Sequence, residues 1–161
     1  MSNLILASGI IGLPIASLSE NTKIAHAHDV LIDAETGAFL GITIKKTPFS
    51  AIRILACRDI ISIDKNGIVT KTSENIIPIS EVVRAKKAKK FNMIGAKVKT
   101  KDGKYLGKVD DVAISLDAQM VVSLYVHLLW KERIISTDKI TKIENKKIII
   151  DSDWEVCHGT V

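Results

Sequence analysis

The sequence predicts an all-β protein built from two tandem small strand-rich modules, joined by a short basic linker that is expected to be helical. Three observations predict it. A stretch that begins Met93-Ile94-Gly95 and runs to Leu128 occurs twice, its other copy spanning 10–44. Ile11-Gly12 falls on Ile94-Gly95 at an offset of 83 residues, Asp29-Val30 on Asp111-Val112 at 82, and Ile60 and Ile63 on Ile140 and Ile143 at 80. Offsets that change only where loops belong mark two diverged copies of one unit. Short runs also alternate apolar and polar residues, with Asp102-Gly103 and Asn66-Gly67 standing between such runs as hairpin signals. Finally, apolar residues make up 47% of the chain but aromatic residues only 4%. Cores must then be packed by Ile, Val and Leu, branched side chains that suit strands.

The expected division is a first module at 1–72, a linker at 73–92 and a second module with a tail at 93–161. Each unit has roughly 65 to 75 residues, near the lower limit for a self-sufficient core. Residues 1–10 read as a leader and 13–18 as the first strand. Ser19-Glu20-Asn21-Thr22 is a loop, and 23–32 is a strand on which Ile24, Val30 and Ile32 share parity. Asp33-Ala34-Glu35-Thr36-Gly37 is a polar turn closed by Gly, before a strand at 39–44 whose counterpart is 121–126. Arg53-Ile54-Leu55 matches Arg133-Ile134-Ile135, and 59–63 matches 139–143. Ile68-Val69 follows the Asn66-Gly67 hairpin, and 147–150 closes the second copy. Val112, Ile114, Leu124 and Val126 share parity without a charge among them and are the expected core of that copy. In the linker, Pro78 and Ser80 suit a helix start, and 81–90 reads as a short basic helix. Trp154 and Val156 in the tail are apolar enough to fold back onto a module.

The apolar stretch 4–18 has no Lys or Arg before it, and its second half aligns with the first strand of the other copy. It is expected to belong to the fold and not to be a signal peptide. No apolar run approaches the 18 or so residues needed to span a bilayer, so a soluble, cytoplasmic protein is the expectation. Cys57 and Cys157, the two cysteines, are too few for a disulfide framework or a zinc ribbon.

Each half resembles the PRC-barrel family. The resemblance rests on Ile-Gly followed by an alternating strand and a hairpin, on Leu106-Gly107-Lys108-Val109-Asp110-Asp111-Val112-Ala113-Ile114, on the strand at 121–126, and on the later Ile-x-x-Ile at Ile60 and Ile63 and at Ile140 and Ile143. Copy one departs from it with Ala25 where Gly is expected, and copy two with Leu116-Asp117-Ala118-Gln119 in place of the Asp-x-x-Thr-Gly turn. The resemblance implies a small barrel of strongly bent strands in each half. It also implies an adaptor role, since members look like the cytoplasmic part of a photosynthetic reaction-centre subunit or the C-terminal domain of a ribosome maturation factor. It carries over no catalytic residue.

The residues themselves point the same way. The chain has no GxSxG, Walker A, HExxH, paired CxxC or dinucleotide glycine pattern. His26 and His28 share a strand face, but their counterparts Lys108 and Asp110 mark that face as wet, so exposed histidines are expected. His127 reads as a core or rim histidine. Asp29 and Asp111, at one repeat position, are expected to accept hydrogen bonds at a strand bend. No enzyme, cofactor, metal or small-molecule substrate is therefore expected.

Charge is the remaining signal. The chain carries +5, but ten basic residues against one acid fall within 84–108, leaving thirteen basic and seventeen acidic residues elsewhere. Arg84, Lys86, Lys87, Lys89 and Lys90 of the linker, with Lys97, Lys99 and Lys101 on one strand face, form the candidate anion or partner patch. Lysines also protect an edge strand from pairing, so a solvated face and a binding face both fit. A non-enzymatic protein-interaction adaptor is the leading expectation, with an RNA- or ribosome-associated factor using 84–108 as the alternative. An anionic membrane surface and self-association stay open. Only seven aromatic residues are present in the chain, which disfavours a base-stacking platform for single strands.

Overall fold

The computed structural model of the chain describes residues 3–82, 92–144 and 146–154. The linker helix expected at 81–90, the five basic linker residues, Cys157 and His158 all fall wholly or mainly outside the described residues. The described residues are mostly β, with one short α-helix, α1 (Ala7–Ile10).

In the second half β10 (Lys97–Thr100), β11 (Tyr105–Ser115), β12 (Met120–Leu128), β13 (Lys131–Ser136), β14 (Ile140–Glu144) and β15 (Lys147–Ile150) form one sheet of order β13-β12-β11-β10-β15-β14. Its β10·β15 ladder is parallel and the others antiparallel. In the first half β2 (Pro14–Ser17), β3 (Thr22–His26), β7 (Ile60–Asp64) and β8 (Gly67–Thr70) make one four-stranded sheet. A second contains β4 (Asp29–Ile32), β5 (Phe39–Ile44), β6 (Arg53–Ala56) and β9 (Ile76–Pro78). β2·β8 is parallel, as β10·β15 is. Register shifts at Ile15/Ala16, Leu31/Ile32 and Ile60/Ser62 stand where Val98/Lys99, Ala113/Ile114 and Ile140/Lys142 shift in the second half. Bulges bend strands sharply, so both halves bend at corresponding points.

The expected strand at 23–32 is in fact two, β3 and β4. Ala27 pairs with the β2 side, accepting from Gly12 N–H at 2.8 Å, whereas His28 N–H donates to Thr43 of β5 at 2.8 Å. The chain thus passes from one sheet to the other at this point. In the second half Gly95 N–H donates to Val109 at 2.7 Å in the same way, and β11 stays continuous. A closed barrel was expected; among the described residues the ladder of the second half is instead an open path. β13 and β14 end it, and the 3-10 turn Thr137–Lys139 carries the chain between them.

Two further expectations are corrected. Residues 4–10 are not a leader: β1 (Leu4–Leu6) pairs antiparallel with β11 of the other half, and Ala7 and Ile10 are fully buried. Within the segment 73–92, β9 joins the sheet of the first half. Burial of Ile76 and Ile79 holds β9 against β6, and Ile79 joins Leu31 and Ile54 in a satellite core. The hairpin at Asn66-Gly67 turns one residue earlier, through Lys65 and Asn66, with Gly67 paired to Asp64 as the first residue of β8. Gly67 is needed there for space, since a Cβ would press on the Pro14 carbonyl oxygen at 3.0 Å.

The halves meet at a bridge between Ala38 and Met120. Phe39 N–H donates to Gln119 O at 2.9 Å and Val121 N–H to Gly37 O at 2.8 Å. The 82-residue offset exchanges these two bonds, so the junction has local two-fold symmetry. Val112, Ile114, Leu124 and Val126 are all fully buried, and Ile32 and Ile44 are buried with them. All six belong to one apolar cluster that runs across both halves through Phe39 and Val121 and takes in Trp154.

Candidate functional site

The β10 strand alternates around buried Val98 and Thr100, so Lys97 and Lys99 face outward. Lys97 is exposed and Lys99 partly so, but the shift between Val98 and Lys99 breaks the simple file expected along the strand. Lys101 lies beyond it in the turn, ion-paired to Asp151 at 3.2 Å.

The basic residues come together across the strands instead. Lys97 is paired in register with Lys108 of β11 on one side and with Lys147 of β15 on the other. All three are exposed, while Val98 and Ile148, next along their strands, are fully buried. Neighbouring strands lie roughly 5 Å apart, so the row holds three ammonium groups on one face at close spacing. His127 continues it beyond Lys108 and Glu144 beyond Lys147. Glu144 is ion-paired to Lys142 at 2.8 Å, and that lysine's hydrogen bond and charge hold its carboxyl below the usual range. His127 is on this exposed face and not in the core, with Nδ1 3.8 Å from Asp110.

Like charges placed directly opposite on adjacent strands destabilise a sheet. The first half shows that the fold does not require them. By the repeat offsets the positions of Lys108, Lys97 and Lys147 are those of His26, Pro14 and Gly67, and Pro14 is indeed paired with His26. Sequence reasoning had found Lys97 but not its neighbour Lys147, which lies 50 residues away. Only the parallel β10·β15 ladder joins them, and the matching β2·β8 ladder is no more legible from side-chain patterns.

The other candidates are structural. Asp29 and Asp111 each accept from the next residue's N–H, at 2.8 and 2.9 Å. Asp111 also accepts from the Ser8 N–H at 3.1 Å and from its hydroxyl, tying α1 to the second half. His26 and His28 are exposed on either side of the break between β3 and β4. Cys57 is half-buried, and burial raises its thiol pKa. No group of three His, Cys, Asp or Glu among the described residues could hold a metal ion. Shallow grooves flank the bridge between the halves. One, of about 510 Å³, lies between Glu35 and β14, and another, of about 270 Å³, between Asp117 and β7.

Residues 89–156 match the PRC-barrel domain family. The match takes in the whole lysine row and every strand of the second half's sheet except the added β1. No curated protein matches the chain. No helix among the described residues is long and apolar enough to cross a membrane.

Proposed function

We propose that the protein is a non-enzymatic interaction adaptor made of two PRC-barrel-like halves, and that the row Lys108, Lys97 and Lys147 is its partner-binding surface. The partner is a protein with an acidic face. One observation carries this reading: three like charges sit in register at a cost to the sheet, where the corresponding row of the other half does without them. Lysine is a point charge that attracts carboxylate or phosphate without fixing geometry. It therefore supplies long-range attraction and salt sensitivity more than shape recognition.

The test compares the wild type with a Lys97→Glu, Lys108→Glu, Lys147→Glu variant as bait for native lysate, at several salt concentrations. A partner retained by the wild type should be lost by the variant and restored when the three positions carry Arg. Circular dichroism should show both variants folded. The same partner on the Glu variant would refute the reading. Retention that nuclease abolishes would turn it to the RNA-associated alternative, whose affinity should fall steeply with salt.

A further inference from the structure

From an observation independent of the lysine row, we infer that the two far ends of the molecule are tips that insert into the surface of an anionic lipid bilayer. The four most exposed large apolar side chains are Phe49 at 98%, Trp130 at 93%, Leu129 at 69% and Leu18 at 61%. Exposed apolar residues scattered singly are ordinary. These four are not scattered. β5 and β12 both start at the bridge between the halves and run away from it, and Phe49 lies in the loop that follows β5, Leu129 and Trp130 in the turn that follows β12. Leu18 opens the β2–β3 hairpin of the same half as Phe49. Each half thus presents an exposed aromatic ring and an exposed leucine on turns, and the loops that carry Phe49 and Trp130 follow strands that leave the antiparallel bridge in opposite directions.

Lysines accompany both. Lys45, Lys46 and Lys23 lie on the segments around Phe49 and Leu18, and Lys131 and Lys104 on those around Trp130, where Lys101 is ion-paired to Asp151. Against them stand Glu20 at one end and Asp102 and Glu132 at the other, the hydroxyls of Ser73 and Thr100 holding Glu20 and Asp102 in the ionised form. Aromatic rings with lysine neighbours suit the headgroup level of a bilayer, where the ring enters the interface and the ammonium stays among anionic headgroups. The two ends share this composition but not its arrangement. One uses Phe and a leucine from a different hairpin, and the other uses Trp with the leucine beside it. A shaped protein pocket would select an arrangement, whereas a fluid interface selects only the chemistry, and the positive charge selects an anionic one.

Trp130 reports on this directly, because Trp154 is buried and should not respond. Vesicles of phosphatidylcholine with about 30 mol % phosphatidylserine, an anionic surface like that of a cytoplasmic leaflet, should shift the tryptophan emission to the blue and co-sediment the protein. Pure phosphatidylcholine should do neither, and salt should reverse both effects. The Phe49→Ser, Trp130→Ser double variant should lower the partition coefficient at least about tenfold, the low end of what burying a large apolar side chain is worth, whereas either substitution alone leaves the other tip to bind. Both positions are too exposed for these changes to affect folding. No blue shift with the anionic vesicles would overturn the inference. So would sedimentation that survives both tip substitutions, which would assign binding to lysine charge alone, or equal binding to the uncharged vesicles. The tip variants leave Lys97, Lys108 and Lys147 in place, so failure here is distinguishable from failure of the adaptor reading.

Discussion

Single side chains in this protein are held by burial, by close backbone approach or by short-range hydrogen bonds, and each predicts a different response to substitution. Ile114 is fully buried in the cluster that both halves share. Ile114→Ala should cost about 2 to 4 kcal/mol in urea unfolding, and a loss below about half a kcal/mol would place the residue on the other face of β11. Gly107 has φ +125°, and a Cβ there would run into the His127 carbonyl oxygen. Gly107→Ala should therefore destabilise by at least about 2 kcal/mol, the backbone strain adding to the clash. Three exposed carboxylates sit below their ordinary pKa: Glu20 through the Ser73 hydroxyl, Asp102 through the Thr100 hydroxyl, and Glu144 through Lys142. A folded-state pKa below the unfolded value means that the contribution is present at neutral pH and is lost as pH falls through the folded value. Urea midpoints should thus drop as the pH is taken below about 4, and less steeply in Glu20→Gln, where one of the three groups no longer titrates.

At the scale of elements, the strands that sequence patterns identified most easily are those with a turn residue at each end. β5 begins at Phe39 and ends at Ile44 as read from the sequence, and Asp33 and Gly37 close the turn before it, with Gly37 N–H donating to Asp33 O at 2.6 Å. β1 and β9 escaped that reading because three-residue strands have no period to detect, and each exists only through its partner. β10 offers a direct test of the lysine row. If its charges repel in the unbound protein, Lys97→Gln should raise stability by about 0.2 to 1 kcal/mol, the size of a cross-strand pair term, and more at low salt than at high. The same variant should weaken binding to an acidic partner. A Lys97→Gln protein of lower stability would mean that the lysine supports the sheet.

For the molecule as a whole, two features join the halves: the bridge at Ala38 and Met120, and β1, which belongs by sequence to one half and by pairing to the other. The apolar cluster is continuous across both. Calorimetry should therefore show one cooperative transition, with equal calorimetric and van't Hoff enthalpies. Two resolved transitions would mean that each half folds on its own core. Phe39→Ala, at the junction, should lower the stability of both halves together by about 3 kcal/mol or more, which hydrogen exchange would read as loss of protection in β5 and β12 alike.

What the sequence determined by itself was local and repeated. Alternation at period two placed Val112, Ile114, Leu124 and Val126 inward, while the bulges shift its phase at Val109 and Val121, and Asp-Gly and Asp-x-x-x-Gly set two of the turns. Bulges of the two halves stand 83, 82 and 80 residues apart, the offsets read from the sequence. These features are written in side-chain chemistry within a few residues of one another. The tertiary structure alone decided the pairings between distant backbones: β10 with β15, β1 with β11, Ala38 with Met120. Backbone N–H and C=O groups are the same in every residue, so which edge they find depends on the whole chain's packing and not on a motif. The lysine row lies across such ladders, and the aromatic tips owe their separation to such a junction. That is why Lys147, Phe49 and Trp130 carried no signal until the strands were placed.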